Sequence, residues 1–244
     1  MVNLHNKETV LVEMYEQLTL WIINDIVTRI IKSQELTNTD VYRIYKLQEL
    51  GIHRSELIKK IKILSKKTTK EINRIFKQSA IEDIQFTNKI FINNKQLLVS
   101  TYMKDIINSF AISTNNEFYN LNDRIITQST NTFSKAIDKA YFSVVSGIKS
   151  QSQAISETID DLSEKGIQLN TNNGRKESIE SAVRRYIHTG VNKCVADINL
   201  RRTKELGWNH VLVSSHLGAR HIDNPKPEYL SHDIWQGRVY SLYD

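Results

Sequence analysis

Val211–Tyr240, VLVSSHLGARHIDNPKPEYLSHDIWQGRVY, is the stretch that divides the chain. It holds both prolines, Pro225 and Pro227, and the histidines His216, His221 and His232. Trp208 stands at its entrance and Trp235 near its end. The β-branched residues of His210–Ser214 and of Arg238–Tyr240 predict two short strands. Between them lie a polar, proline-bearing loop and a helical turn near His232. Trp235-Gln236-Gly237 ahead of the last strand reads as a corner, in which a ring packs under a turn that needs glycine.

Upstream of this unit the chain has no proline and reads as helices. Leu11, Met14, Leu18, Trp21, Ile22, Ile26 and Ile30 recur at helical spacing, which predicts a long amphipathic helix from about Glu8 to Gln34. Thr37-Asn38-Thr39-Asp40 carries N-cap chemistry. A short helix is expected over Val41–Leu50, stopped by Gly51. Leu57, Ile58, Ile61, Leu64, Ile72, Ile75 and Phe76 define the next helix, and the helical pattern continues to Phe91. Turns are expected at Asn93-Asn94 and at Ser113-Thr114-Asn115-Asn116. Ile125, Phe133, Ile137, Ala140, Tyr141 and Val144 mark a helix ending near Gly147. Ile155, Ile159 and Leu162 mark another, closed by Gly166. Gly166–Lys176 reads as a hairpin about Asn173-Gly174. Ile179, Val183, Ile187, Val191, Cys194 and Ile198 form the cleanest apolar stripe, on a helix ending at Gly207. The fold class expected is mainly α: a long-helix body over residues 1–150 and a small α+β module over residues 151–244.

Composition narrows the function. The chain has 244 residues, 40% hydrophobic and 25% charged, with a formal net charge of +6. The one cysteine, Cys194, excludes an internal disulfide and falls on an apolar helix stripe, as a buried inert thiol does. No apolar run reaches the ~18 residues of a membrane span, and the N-terminus lacks a secretory pattern. A cytoplasm-like setting and no membrane partner are expected.

The positive charge is concentrated. Arg54, Lys59, Lys60, Lys62, Lys66, Lys67, Lys70, Arg74 and Lys77 face only Glu56 and Glu71. On a helix they spread over most of the polar face, a pattern that suits a phosphate backbone, an acidic protein surface or plain solvent. No catalytic constellation accompanies it. Ser214-Ser215-His216 lacks a nucleophile elbow, and no phosphate-binding glycine loop occurs. His216, His221 and His232 match no zinc spacing. No cofactor, no metal and no enzyme activity are expected.

Several motifs occur in order: Gly166-Ile167, Asn173-Gly174-Arg175, Ala182-Val183-Arg184-Arg185, then His216-x-Gly218-Ala219-Arg220, and finally Trp235-Gln236-Gly237-Arg238-Val239-Tyr240-Ser241. Over residues 155–244 this closely resembles the phage minor capsid protein 2 family, minor head proteins of tailed phages and prophages. The resemblance implies a low-copy virion protein inside the head near the portal, present in several copies, made in the host cytoplasm, and assisting head assembly, DNA packaging or ejection. Its implied partners are the portal protein, the major capsid or scaffold protein, and packaged DNA contacted non-specifically. His216, Gly218, Ala219, Arg220, Trp235, Gln236 and Gly237 are the motif residues carried over. Some members place cysteines between the two last motifs; here Arg220, His221 and the proline loop stand there, so no metal site is carried over.

Members of the family continue past the last strand, whereas this sequence stops at Asp244. A boundary of the sequence, processing and a naturally short member each account for that. Two other readings remain open at this point: an enzyme resembling ADP-ribosyltransferases, by fold analogy to domains found with related head proteins, and a DNA-binding protein outside the virion.

Overall fold

The computed structural model describes residues 7–91, 101–171, 174–205, 207–213, 215 and 231–242. The described residues form five α-helices and two small antiparallel sheets, which is the mainly α class expected. Two compact units result, Met1–Cys194 and Val195–Asp244.

The first unit is built on α1 (Thr9–Ser33), α2 (Thr39–Phe91) and α3 (Thr101–Val145). On α1 the residues Leu11, Tyr15, Leu18, Ile22, Ile26 and Ile30 are all buried, as their three-and-four spacing requires. Asn38 caps α2: its Oδ1 accepts from the backbone N–H of Asp40 at 2.8 Å and of Val41 at 3.1 Å. The 53 residues of α2 extend about 80 Å at 1.5 Å per residue.

The second and third helices run antiparallel. Tyr42 stacks on Tyr141 with centroids 3.5 Å apart, and its Oη donates to Asp138 Oδ1 at 2.7 Å. Further along, His53 meets the edge of Phe133, and Asn122 Nδ2 donates to Ser65 Oγ at 3.0 Å. Tyr15 Oη donates to Asn122 Oδ1 at 3.0 Å. One buried amide thus joins α1, α2 and α3, and such a node fixes register because an unpaired buried polar group is costly.

Two expected breaks do not form. Gly51 lies inside α2, exposed, with nothing within 4 Å of where a Cβ would stand. A mid-helix glycine costs about 1 kcal/mol relative to alanine, and burial of Tyr42 on one side and Leu57 on the other exceeds that. Ser113–Asn116 lies inside α3: Thr114 is buried there, and Asn115 Nδ2 donates back to the Ala111 carbonyl at 2.8 Å. The polar side chains satisfy themselves on the helix, and Phe118 and Leu121 carry the core through. The expected turn at Asn93-Asn94 falls outside the described residues.

The remaining signals of the first unit are local, and the chain follows them. Ser150 and Gln153 form a capping box at the start of α4 (Gln151–Lys165), which ends at Gly166 with φ 59°. The hairpin pairs β1 (Gln168–Asn170) with β2 (Lys176–Ser178) in the register Leu169↔Glu177. Gly174 sits at its turn with φ 74°. Helix α5 (Ile179–Glu205) begins in the first unit, burying Ile179, Val183, Ile187, Val191 and Cys194, and continues into the second.

In the second unit α5 closes on a Schellman motif. Gly207, at φ 71°, donates to the Lys204 carbonyl, and Trp208 N–H donates to the Thr203 carbonyl. Strand β3 (His210–Leu212) pairs with β4 (Val239–Ser241), Val211 opposite Tyr240. The turn expected near His232 is a single 3-10 turn, Asp233–Trp235.

Candidate functional site

The basic residues singled out in the sequence lie on α2, and Arg54, Lys59, Lys60, Lys62, Lys66, Lys67, Lys70 and Arg74 are all exposed. At ~100° per residue, Lys59, Lys62, Lys66, Lys70, Arg74 and Lys77 fall along one line of the helix, three or four residues apart. The buried line of Leu57, Ile61, Thr68, Ile72 and Ile75 lies opposite. Lys67 flanks the cationic line. Lys60 leans from it over Trp21, its Nζ 4.7 Å from the ring centroid. Arg54, five residues before Lys59, is turned about 140° away from the stripe.

The two acids nearest in sequence do not neutralise this face equally. Glu56 turns inward and accepts from Arg29 Nη2 at 2.8 Å. Glu71 holds Arg74 through both carboxylate oxygens at 3.0 Å from Nε, and this bonding raises the Arg74 pKa. Among the described residues, Lys59, Lys62, Lys66, Lys67, Lys70 and Lys77 form no ion pair. The stripe therefore presents five lysines on one line with uncompensated charge, at axial steps of about 5–6 Å from Lys59 to Lys70 and about 10 Å on to Lys77.

Beneath the start of the stripe lies a buried charged network that composition could not reveal. Arg29 Nε and Nη2 donate to the two oxygens of Asp25 at 2.8 and 2.9 Å, and Nη1 pairs with Glu49. His53, fully buried and stacked on Trp21, meets Asp25 Oδ2 through Nδ1 at 2.6 Å. Burial pushes the Asp25 carboxyl up, but hydrogen bonds from His53 and Arg29 outweigh it and hold the pKa at about 2. Arg29 is itself buried; desolvation opposes its charge, and Asp25 and Glu49 more than restore it. This network fixes α1 against α2. The sequence signal that could have found it is Asp25 and Arg29 at i, i+4, with Arg29 beside the apolar stripe of α1.

Of the C-terminal motif residues, His216, Gly218, Ala219 and Arg220 lie outside the described residues, as do His221, Pro225 and Pro227. Trp235, Gln236 and Gly237 form a corner. Gln236 N–H donates to the Asp233 carbonyl at 3.2 Å, and Gly237, at φ 67°, donates to the Val213 carbonyl at 2.8 Å. A Cβ on Gly237 would stand 3.2 Å from Ser215 Oγ. The Trp235 ring tilts against Tyr240 with centroids 5.4 Å apart and remains 41% exposed. The motif thus shapes a strand-to-strand corner and leaves a large aromatic surface open.

No described helix is long and apolar enough to cross a membrane. Among the described residues no group of three histidine, cysteine or acidic side chains is placed to hold a metal ion. No solved structure matches the chain. It is similar to a "Structural protein" of Lactococcus phage LL-H, 24% identical over 207 residues, which is 80% of this chain and 55% of that protein. The chain thus spans about half the length of this relative. The sequence profile described as phage minor capsid protein 2 matches residues 3–243. The chain belongs to the phage minor capsid protein 2 family.

Proposed function

We infer that this protein is a minor head component placed inside the capsid near the portal vertex, in several copies, with the lysine stripe of α2 turned towards packaged DNA. The observation that carries the reading is the stripe itself, within a chain whose family is a capsid family. Lysines repeating along a rigid helix neutralise phosphates without reading bases, which suits a protein that meets genome of any sequence. The portal protein and the major capsid or scaffold protein are its partners in this reading, and its task is to assist head assembly, packaging or ejection. His216, Gly218, Ala219, Arg220 and the Trp235 corner serve structure in that assembly rather than chemistry.

Quantitative mass spectrometry of purified DNA-filled heads, against major capsid and portal peptides, tests the placement. A few to a few tens of copies per particle is the expected result. Absence from filled heads, with presence in proheads or lysate alone, would overturn it.

A further inference from the structure

We propose that the groove between α3, the β1–β2 hairpin and α5 is a docking site for an acidic peptide segment of another virion protein. The groove encloses about 990 Å³. Its walls carry Arg124 from α3, Arg175 and Lys176 from the hairpin, and Arg185 and Lys193 from α5. Two carboxylates, Glu117 and Glu177, oppose these five cations.

Glu177 is engaged within the wall. Arg124 Nη2 donates to its Oε1 at 3.1 Å, and Arg185 Nη2 donates to Oε1 at 2.9 Å and to Oε2 at 3.1 Å. Arg124 is held further by the Tyr186 hydroxyl at 3.1 Å and the Asn170 carbonyl at 2.8 Å. The two guanidiniums are therefore fixed in place before any ligand arrives, which lowers the ordering cost of binding. Arg175, Lys176 and Lys193 are exposed, and among the described residues their charged groups have no acid partner. The groove is left with three uncommitted cations around two pre-placed ones.

The shape and chemistry favour protruding carboxylates over nucleic acid. Bases of a single strand need a free aromatic face. Of the two rings in the lining, Tyr186 offers none: the Arg185 guanidinium lies 4.4 Å from its ring centroid, and the edge of Phe118 packs against it at 6.0 Å, which leaves Phe110 as a single platform rather than a row for successive bases. A duplex presents phosphates on a convex rod, which meets a stripe on an exposed helix more readily than a recess walled by three elements. Acidic side chains reach into such a recess, where lysines and arginine forks pair with them and the hydroxyls of Ser113 and Thr189 are at hand for peptide amides and carbonyls.

The experiment uses the full chain and fluorescence polarisation of a labelled glutamate-rich peptide, with single-stranded and duplex oligonucleotides as competitors. The exposed triple variant Arg175→Gln, Lys176→Gln, Lys193→Gln should weaken peptide binding about tenfold, as loss of three rim charge pairs does. The variant Lys62→Gln, Lys66→Gln, Lys70→Gln on α2 should leave peptide binding unchanged, which separates this site from the DNA-facing stripe. No peptide binding by the wild-type chain, or equal binding by the triple variant, would overturn the proposal. Oligonucleotide binding that depends on Arg175, Lys176 and Lys193 would overturn it in favour of a nucleic-acid site.

Discussion

Gly190 of α5 faces Thr114 of α3 so closely that a methyl carbon built on the glycine would overlap Thr114 Oγ1 and stand 2.9 Å from Phe76 Cζ on α2. Three helices meet at this point, and the absence of a side chain is what lets them. Gly190→Ala gains up to about 1 kcal/mol in helix propensity but overpacks a site flanked by two buried residues, which costs about 1–3 kcal/mol. A net loss of stability is expected in urea unfolding. Combining it with Thr114→Ala should recover part of the loss, because the overlapping hydroxyl is then gone while the close approach to Phe76 remains. Equal destabilisation with and without Thr114 would disprove the close-packing account.

Gly51→Ala should behave oppositely. Gly51 is mid-helix and exposed, and an added methyl meets nothing within 4 Å. A gain of about 0.5–1 kcal/mol is expected. Had the helix stopped there, with the glycine at a positive φ, the same substitution would destabilise. The sign of the change in melting temperature therefore distinguishes a continuous α2 from two shorter helices.

These two glycines also mark what the sequence could and could not convey. Caps and stops whose partners lie within a few residues were legible: Asn38 at the start of α2, Gly166 after α4, Gly174 in the hairpin, Gly207 after α5. The apolar stripes of α1 and α5 were legible for the same reason, since one face of one helix contains the whole signal. Gly51 and Ser113–Asn116 carry the same local punctuation, but residues some 80–100 positions away in sequence, such as Tyr141 for Tyr42 and Phe133 for His53, hold the helices continuous. The lysine stripe shares one helix and could be read directly. The groove cations Arg124, Arg175, Lys176, Arg185 and Lys193 come from three elements, so only the fold brings them together.

Acid should weaken the α1–α2 contact in a defined window. Asp25 has its folded-state pKa lowered to about 2, from the ordinary carboxyl value of 3.8. A depressed carboxylate stabilises the fold fully above its unfolded pKa and loses that contribution as pH falls through the folded value. About 2 kcal/mol should therefore be present above pH ~4 and be lost progressively towards pH ~2. Asp25→Asn should flatten this part of the stability–pH curve while lowering stability at pH 7. An unchanged acid limb in the variant would remove Asp25 as its cause.

Trp235→Ala should cost about 1–2 kcal/mol in the second unit, less than the ~3–5 kcal/mol of an enclosed aromatic, because two-fifths of the residue is already in contact with solvent. Gly237→Ala should be worse than its size suggests, since it strains a φ of 67° as well as approaching Ser215. Thermal unfolding of the two variants, compared with the wild type, gives the order. A larger loss at Trp235 than at Gly237 would mean that the ring, rather than the turn, holds the corner.

Salt dependence is the sharpest test of the stripe. A surface that neutralises about five phosphates gives log K falling against log salt with a slope of about −4 to −5. Lys59→Gln, Lys62→Gln, Lys66→Gln and Lys70→Gln together should reduce that slope by about 3–4 and weaken binding to every duplex sequence alike, since phosphate contacts carry no base information. All four side chains are exposed, so helix content by circular dichroism should not change. Duplex binding that is insensitive to salt, or that survives the four substitutions, would assign the cationic face of α2 to a protein neighbour or to solvent. Sequence-dependent affinity would be equally fatal to the reading, because a row of lysine point charges on one helix face has no means of telling one base pair from another.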